Sequence, residues 1–240
     1  MTVRYGHISN MGWSFPAVNQ QPYCSVRKMS TIKAKRDQRR DTILDVAGAI
    51  FAEEGFAATS MSHIAARLGG SKGTLYNYFK SKEDLFAAVV QEQCIKMADV
   101  LFDLDESRTI AETLTVIGER FIEHLMADWT VRMFRVVVAE ASRTPELART
   151  FYDAGPAQGS RMLTEILEQA RARGEIVADD CELAAQHFMA LCRGQQHLRC
   201  VLNLMPPLAP AEIKTVIAEA VRTFMARFGA PGAGAATEAR

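Results

Sequence analysis

Cysteine is scarce and unpaired in this sequence. The five residues (Cys24, Cys94, Cys181, Cys192, Cys200) contain no CxxC spacing, and an odd, irregular set does not make a disulfide framework. Reduced thiols and a cytoplasmic location are the expectation. Long hydrophobic runs are missing too. The most apolar short run, Met133 to Ala139, is interrupted by Arg135, so no membrane-spanning helix is expected. Residues 1–28 lack the positive-then-apolar order of a secretory signal. No segment alternates apolar and polar residues as a half-buried strand does, and no internal repeat is visible. That leaves an all-α chain.

Reaction signatures are equally absent. GGSKGT (Gly69–Thr74) looks superficially like a phosphate loop, but Lys72 is followed by Gly73 rather than Ser or Thr, and no strand precedes it. No Ser-His-Asp or Cys-His arrangement carries a known signature. The five histidines are scattered, and only His197 and Cys200 share an i, i+3 spacing suited to a common metal. Cys192 lies well around the helix from His197, so the set reads as a packed histidine with buried thiols. No catalytic residue, metal or cofactor is expected.

Net charge is absent as well, but the zero hides an asymmetry. Residues 27–82 carry eleven Lys/Arg against five acids; from Glu83 onward there are sixteen basic residues against twenty-three acidic ones. A basic module on an acidic body fits nucleic-acid binding at one end. The charge run alone would also suit a solvated basic face. Apolar residues make up 48% of the 240, enough for a core in one large or two small domains.

What is present is helical pattern. Residues 1–30 show no period and are expected to be a disordered arm or the product of an early start codon, with Met29 just before the ordered pattern. A first helix is predicted from about Arg36 to Glu54, with the stripe Ile43, Val46, Ala47, Ile50, Phe51, and ends at Gly55. In TSMSHIAARLGGSKGTLYNYFKSK (Thr59–Lys82), Met61, Ile64, Ala65 and Leu68 form one apolar helix face. Gly69-Gly70 stops that helix and Ser71 caps a second. The second helix buries Leu75 and Phe79, and its other side offers Lys72, Thr74, Tyr76, Asn77 and Tyr78. Basic, hydroxyl, amide and phenol groups on one short helix suit a polyanion, and this is the helix-turn-helix pattern. Thr59 or Ser60 stands at a helix N-terminus, where hydroxyl and backbone N–H groups suit a phosphate.

Ser81 and Asp84 form a capping-box pattern opening a long helix through Leu104. Thr109 with Glu112 opens another, bearing Leu114, Ile117, Phe121 and Leu125. Val131 to Ala141 is apolar on most sides and expected to be central. Thr144 is expected to cap a helix with Pro145 at its first position, Gly155-Pro156 breaks the chain again, and Gly174 closes a stripe through Ala170. A single helix is predicted from Asp179 or Asp180 to about Leu202, and a last amphipathic helix through Phe228. The tail from Gly229 reads as disordered.

Ile43 to Phe86 resembles the DNA-binding domain of the tetracycline-repressor (TetR) family of bacterial regulators. The matching residues are Ala47, Phe51, Gly55-Phe56, Thr59-Ser60, Ile64-Ala65, then Ser71-Lys72-Gly73-Thr74-Leu75-Tyr76, Tyr78-Phe79 and Ser81 to Phe86. Phe134 to Gly174 resembles, more loosely, C-terminal domains of one branch of that family. Gly70 departs from the pattern, which carries an apolar residue there. The resemblance implies an all-helical homodimer with a reader (31–84) and a ligand-binding and dimerising body (85–229), flanked by the arm (1–30) and the tail (230–240) read from the pattern. It implies a regulator that represses from double-stranded operator DNA in the nucleoid and is released by a small-molecule effector.

Carried over by position, Lys72, Gly73, Thr74 and Asn77 face base edges and Tyr76, Tyr78 and Lys82 face phosphates. Lys33, Lys35, Arg36, Arg39 and Arg40 add backbone contacts. Half-buried packing is the alternative reading of Tyr76 and Tyr78, and the family pattern favours phosphate contact. Effector-pocket candidates are Phe121, His124, Leu125, Trp129, Met133, Phe134, Phe188 and Gln195, each of which also reads as core. The dimer is expected through the last two helices. Two other readings compete: a helical carrier or enzyme with a vestigial DNA module, and a nonspecific architectural binder with equal affinity for any duplex.

Overall fold

Ile43, Val46, Ala47, Ile50 and Phe51 recur at three- and four-residue steps, so one side of their helix must be covered. In the computed structural model, which describes residues 26–102 and 107–231, they lie on α1 (Val26–Glu54), and all but the half-buried Val46 are buried. The helix starts ten residues before the predicted Arg36, because residues 26–47 contain no Gly or Pro to stop it. The expected arm at 1–30 therefore loses 26–30 to α1; the rest of it lies outside the described residues. Gly55, at φ 84°, ends the helix as predicted.

Then follow α2 (Met61–Arg67), α3 (Lys72–Tyr76) and α4 (Lys82–Leu101). The 20 residues of α4 span about 30 Å. Leu104, placed on this helix from the sequence, lies outside the described residues. Phe51, Phe56 and Phe86 meet at the centre of this part, with centroids 5.2–5.7 Å apart and two of the three pairs edge to face. Such pairs add about 0.5–1.5 kcal/mol each beyond their burial.

The rest of the chain forms α5 (Ile110–Met126), α6 (Asp128–Glu140), α7 (Pro145–Ala154), α8 (Pro156–Ala172), α9 (Cys181–Arg193), α10 (Gln196–Val201) and α11 (Pro210–Phe228). Thr109 and Glu112 form the predicted reciprocal cap of α5. The Asp180 carboxylate accepts the Leu183 N–H at 2.9 Å and starts α9. Thr144, expected to cap α7, makes no side-chain cap; Pro145 alone marks the start. The single helix expected over Asp180–Leu202 is two. Gly194 sits at φ 49°, ψ −152°, a conformation open to glycine, and turns the chain between α9 and α10. The tail is tied at its root. Val177 N–H donates to the Phe228 carbonyl at 2.7 Å and Ala230 N–H to that of Glu175 at 3.0 Å, so order continues past Gly229.

Two apolar cores result. One joins α1–α4 with Met133, Val136 and Val137 of α6 and Leu147 of α7. The other joins α5, α8, α9 and α11 around Ile117, Leu163, Phe188, Ile217 and Phe224. The first half of α4 belongs to one core and Leu101 at its end to the other. Among the described residues no helix is long and apolar enough to cross a membrane.

Candidate nucleic-acid interface

The turn between α2 and α3 is set by local chemistry. Gly69 adopts φ 62°, and the N–H groups of Gly69 and Gly70 return to the carbonyls of Ala66 and Ala65, both at 3.1 Å. This paired closure satisfies two end carbonyls of α2. Gly70 is exposed, so the apolar side chain of the family pattern is simply missing from this corner.

Ser71 caps α3 by accepting the Thr74 N–H at 3.1 Å, and its hydroxyl lies 2.9 Å from that of Thr74. Leu75 and Phe79, buried behind, hold the helix against the three-helix unit. Lys72, Gly73, Thr74, Tyr76 and Asn77 are all exposed. The Lys72 ammonium lies 5.7 Å from the Tyr76 ring centroid, so charge and phenol share one face. Tyr78 is half-buried against the core, nearer to the packing reading.

Three expected contacts look different in three dimensions. Thr59 is buried, and its hydroxyl donates to the Gly55 carbonyl at 2.7 Å; it is turned inward and presents nothing to DNA. The neighbouring Ser60 is the exposed residue and caps α2, accepting the His63 N–H at 3.2 Å. Lys82 donates to the Phe56 carbonyl at 2.6 Å and stands 4.2 Å from the Phe56 ring centroid, so it ties α4 to the end of α1. Arg40, read as part of a basic arm, pairs with Glu92 of α4 at 3.8 Å and lies over the Phe79 ring. The side chains of Lys33 and Lys35 fall outside the described residues.

The pocket candidates do not gather. Phe188 is fully buried edge to face on Phe224, Phe121 belongs to the same core, and Gln195 is exposed in the break before α10. Met133 is in the other core and Trp129 packs against it, the indole beside Gly48. His124 and Leu125 are half-buried, and burial pulls the His124 pKa below its ordinary 6.5. Phe134 is the one that sits between. Its ring meets His197 at 5.2 Å and Phe151 at 6.2 Å, both edge to face. His197 and Cys200 are both buried, as the packed reading of that pair expects. Among the described residues no group of three or more His, Cys, Asp or Glu is placed to hold a metal.

Residues 43–89 match the family model described as bacterial regulatory proteins, tetR family, and residues 112–230 match the AefR-like transcriptional repressor C-terminal domain. The solved structure of the flavonoid-responsive regulator FrrA is 34% identical, over 80% of this chain and 98% of its own, with a TM-score of 0.71. A TetR-family regulator from Mesorhizobium loti MAFF303099 is 28% identical, over 81% and 98%, with a TM-score of 0.73. The HTH-type transcriptional repressor KstR2 of Mycolicibacterium smegmatis is 31% identical over 147 residues, 59% of this chain and 69% of its own. The chain belongs to the TetR family of transcriptional regulators. It is an all-helical, DNA-binding regulator with a helix-turn-helix reader on a larger helical domain.

Proposed function

We propose that this regulator is a repressor that binds a palindromic operator as a homodimer and is released by a small molecule in its larger domain. The observation that carries the reading is the exposed face of α3, with Lys72, Gly73, Thr74 and Asn77 outward while Leu75 and Phe79 anchor the helix from behind. Lysine donates to guanine acceptors, asparagine pairs with adenine, and glycine lets the backbone approach a base. Ser60, Tyr76, Tyr78 and Lys82 are assigned to the phosphates that fix register. Thr59 is not among them.

The effector reading is supported by relatives named as repressors and by one named flavonoid-responsive. For the dimer, the apolar stripe of α11 (Ile213, Ile217, Ala220, Val221, Phe224, Phe228) is spent on its own core. We therefore assign the contact to the exposed leucines beside it: Leu183 and Leu191 of α9, Leu198 of α10, and Leu202 and Leu204 after it. Footprinting on DNA flanking the protein's own gene tests the whole. The expected result is a symmetric protected site with half-sites about one helical turn apart or a multiple of it. Equal protection of any duplex would instead favour an architectural binder.

A further inference from the structure

His197 is 6% exposed, and its Nε2 is buried with no hydrogen-bond partner among the described residues. Leaving a buried donor or acceptor unpaired is costly, so such an atom asks for an explanation. Its surroundings supply one. The imidazole meets the Phe134 ring, which meets Phe151. A Cβ built on Gly155 would lie 3.3 Å from the Phe151 carbonyl and 3.2 Å from the Cys94 Sγ. One turn along α8, a Cβ on Gly159 would find only Met189 Cε, at 4.0 Å. Cys94, Phe134, Phe151, Gly159 and Met189 are all only half-buried, although they come from five helices. Cys94 and Phe151 border one core and Met189 the other. Gly155, the N-cap of α8, is thus closely packed, whereas Gly159 one turn on leaves open space beside Met189, and the orphaned imidazole stands against the Phe134–Phe151 ring pair.

We propose that Cys94, Phe134, Phe151, Gly159 and Met189 wall the effector chamber, and that it takes a neutral, flat, ring-bearing molecule whose hydroxyl hydrogen-bonds to His197 Nε2. The proposal rests on the reading above that the larger domain binds a small effector. The class follows from the walls. Two phenyl rings at 61° offer an edge and a face to a flat ring. None of the walling residues carries a charge, so the walls themselves give an ionised ligand no counter-charge. Burial, with the nearby Arg193 guanidinium, holds the His197 pKa below its usual 6.5, so the imidazole is neutral at pH 7. Burial also pushes the Cys94 thiol up to about 11, which keeps it protonated and apolar in character.

The test uses 2-naphthol, naphthalene and 2-naphthoate as probes of the full chain, by calorimetry or competitive fluorescence. 2-Naphthol should bind about three- to tenfold more tightly than naphthalene, the worth of one hydrogen bond, and 2-naphthoate weakest of the three. His197→Phe, shown folded by its circular dichroism, should erase the preference for the hydroxyl, and His197→Gln should restore part of it. Gly159→Leu, whose first side-chain atom has space and whose helix propensity improves, should fold and lose all three probes. Equal binding of naphthol and naphthalene, or an unchanged preference in His197→Phe, overturns the role of His197. Strongest binding of 2-naphthoate overturns the neutral class. No binding of any probe, or full binding by Gly159→Leu, overturns the chamber. A symmetric operator footprint in the same preparation would still stand, which separates these failures from failure of the regulatory reading.

Discussion

Lys82 makes two demands on one ammonium. It caps the Phe56 carbonyl and rests on the Phe56 ring, yet its place beside α3 is where a phosphate contact is expected. An ammonium has three donors, so one can serve the fold and the others DNA. Lys82→Ala should therefore act twice. Affinity should fall alike for operator and random duplex, with the salt slope smaller by about one. The unfolding free energy should also drop by about 1 kcal/mol, for the lost hydrogen bond. Asn77→Ala should instead cost about 1–3 kcal/mol on operator and nothing on random DNA. Anisotropy across a salt series, with urea unfolding, separates the two; a change of base preference in Lys82→Ala would refute its assignment. At this scale the sequence is readable wherever the partner is near. Ser71 and Thr109 cap as expected, and of Asp179 and Asp180, both offered as the start of α9, Asp180 is the cap. Ser81 accepts the Asp84 N–H as expected, but Asp84 answers the Lys80 N–H instead of that of Ser81. Which of Thr59 and Ser60 faces inward was not readable, because it depends on how the Gly55 turn delivers its carbonyl.

Helix existence and most helix ends were legible for the same reason: apolar period, prolines at 145, 156 and 210, and glycines at 55, 69 and 174 act within a turn or two. The break at Gly194 was missed, since a lone glycine inside an apolar period is also compatible with a continuous helix. How helices share cores was not legible, because contacts such as Phe134 with His197 join residues far apart in the chain. The consequence is mechanical. Met133, Val136 and Val137 lie in the reader's core, while Phe134, next on the same helix, touches His197. Rotation or shift of α6 is thus felt by both. The fit of α5 on α11 shows how little slack neighbouring helices have. A Cβ on Gly118 would stand 2.9 Å from Ile217 Cγ2 and 3.3 Å from the Cys192 Sγ. Gly118→Ala should cost about 1–3 kcal/mol by overpacking despite a better helix propensity. Thermal unfolding checks this, and an unchanged or raised midpoint would show that α11 moves away freely.

Taken whole, the molecule joins a basic reader to an acidic body that keeps two histidines neutral. Burial holds both His124 and His197 below their ordinary 6.5. As pH falls through 6.5 the unfolded chain takes up protons that the folded chain refuses, so stability is full above 6.5 and declines below it. Urea midpoints measured from pH 7.5 down to 5 should fall, and His197→Phe should flatten the decline; a flat profile in the parent protein would contradict the burial. The same whole-molecule view bears on assembly. Leu198 and Leu202 are each 58% exposed and Leu204 67%, a cluster that monomers seldom leave uncovered. With the apolar stripe of α11 turned into its own core, this leucine cluster is the face assigned to the second copy in the proposed homodimer. Replacing Leu198 and Leu202 by Glu should leave the helical fold intact, since neither is in a core, and should give a monomer in sedimentation equilibrium. One reader would then engage one half-site, and operator affinity should fall on the order of a hundredfold, the usual advantage of a linked second site. Binding to random duplex should fall far less, because scattered phosphate contacts need no fixed spacing. A double variant that stays dimeric and keeps its operator affinity would move the interface to the outer face of α11, where Ala211, Thr215, Ala218 and Arg222 are exposed.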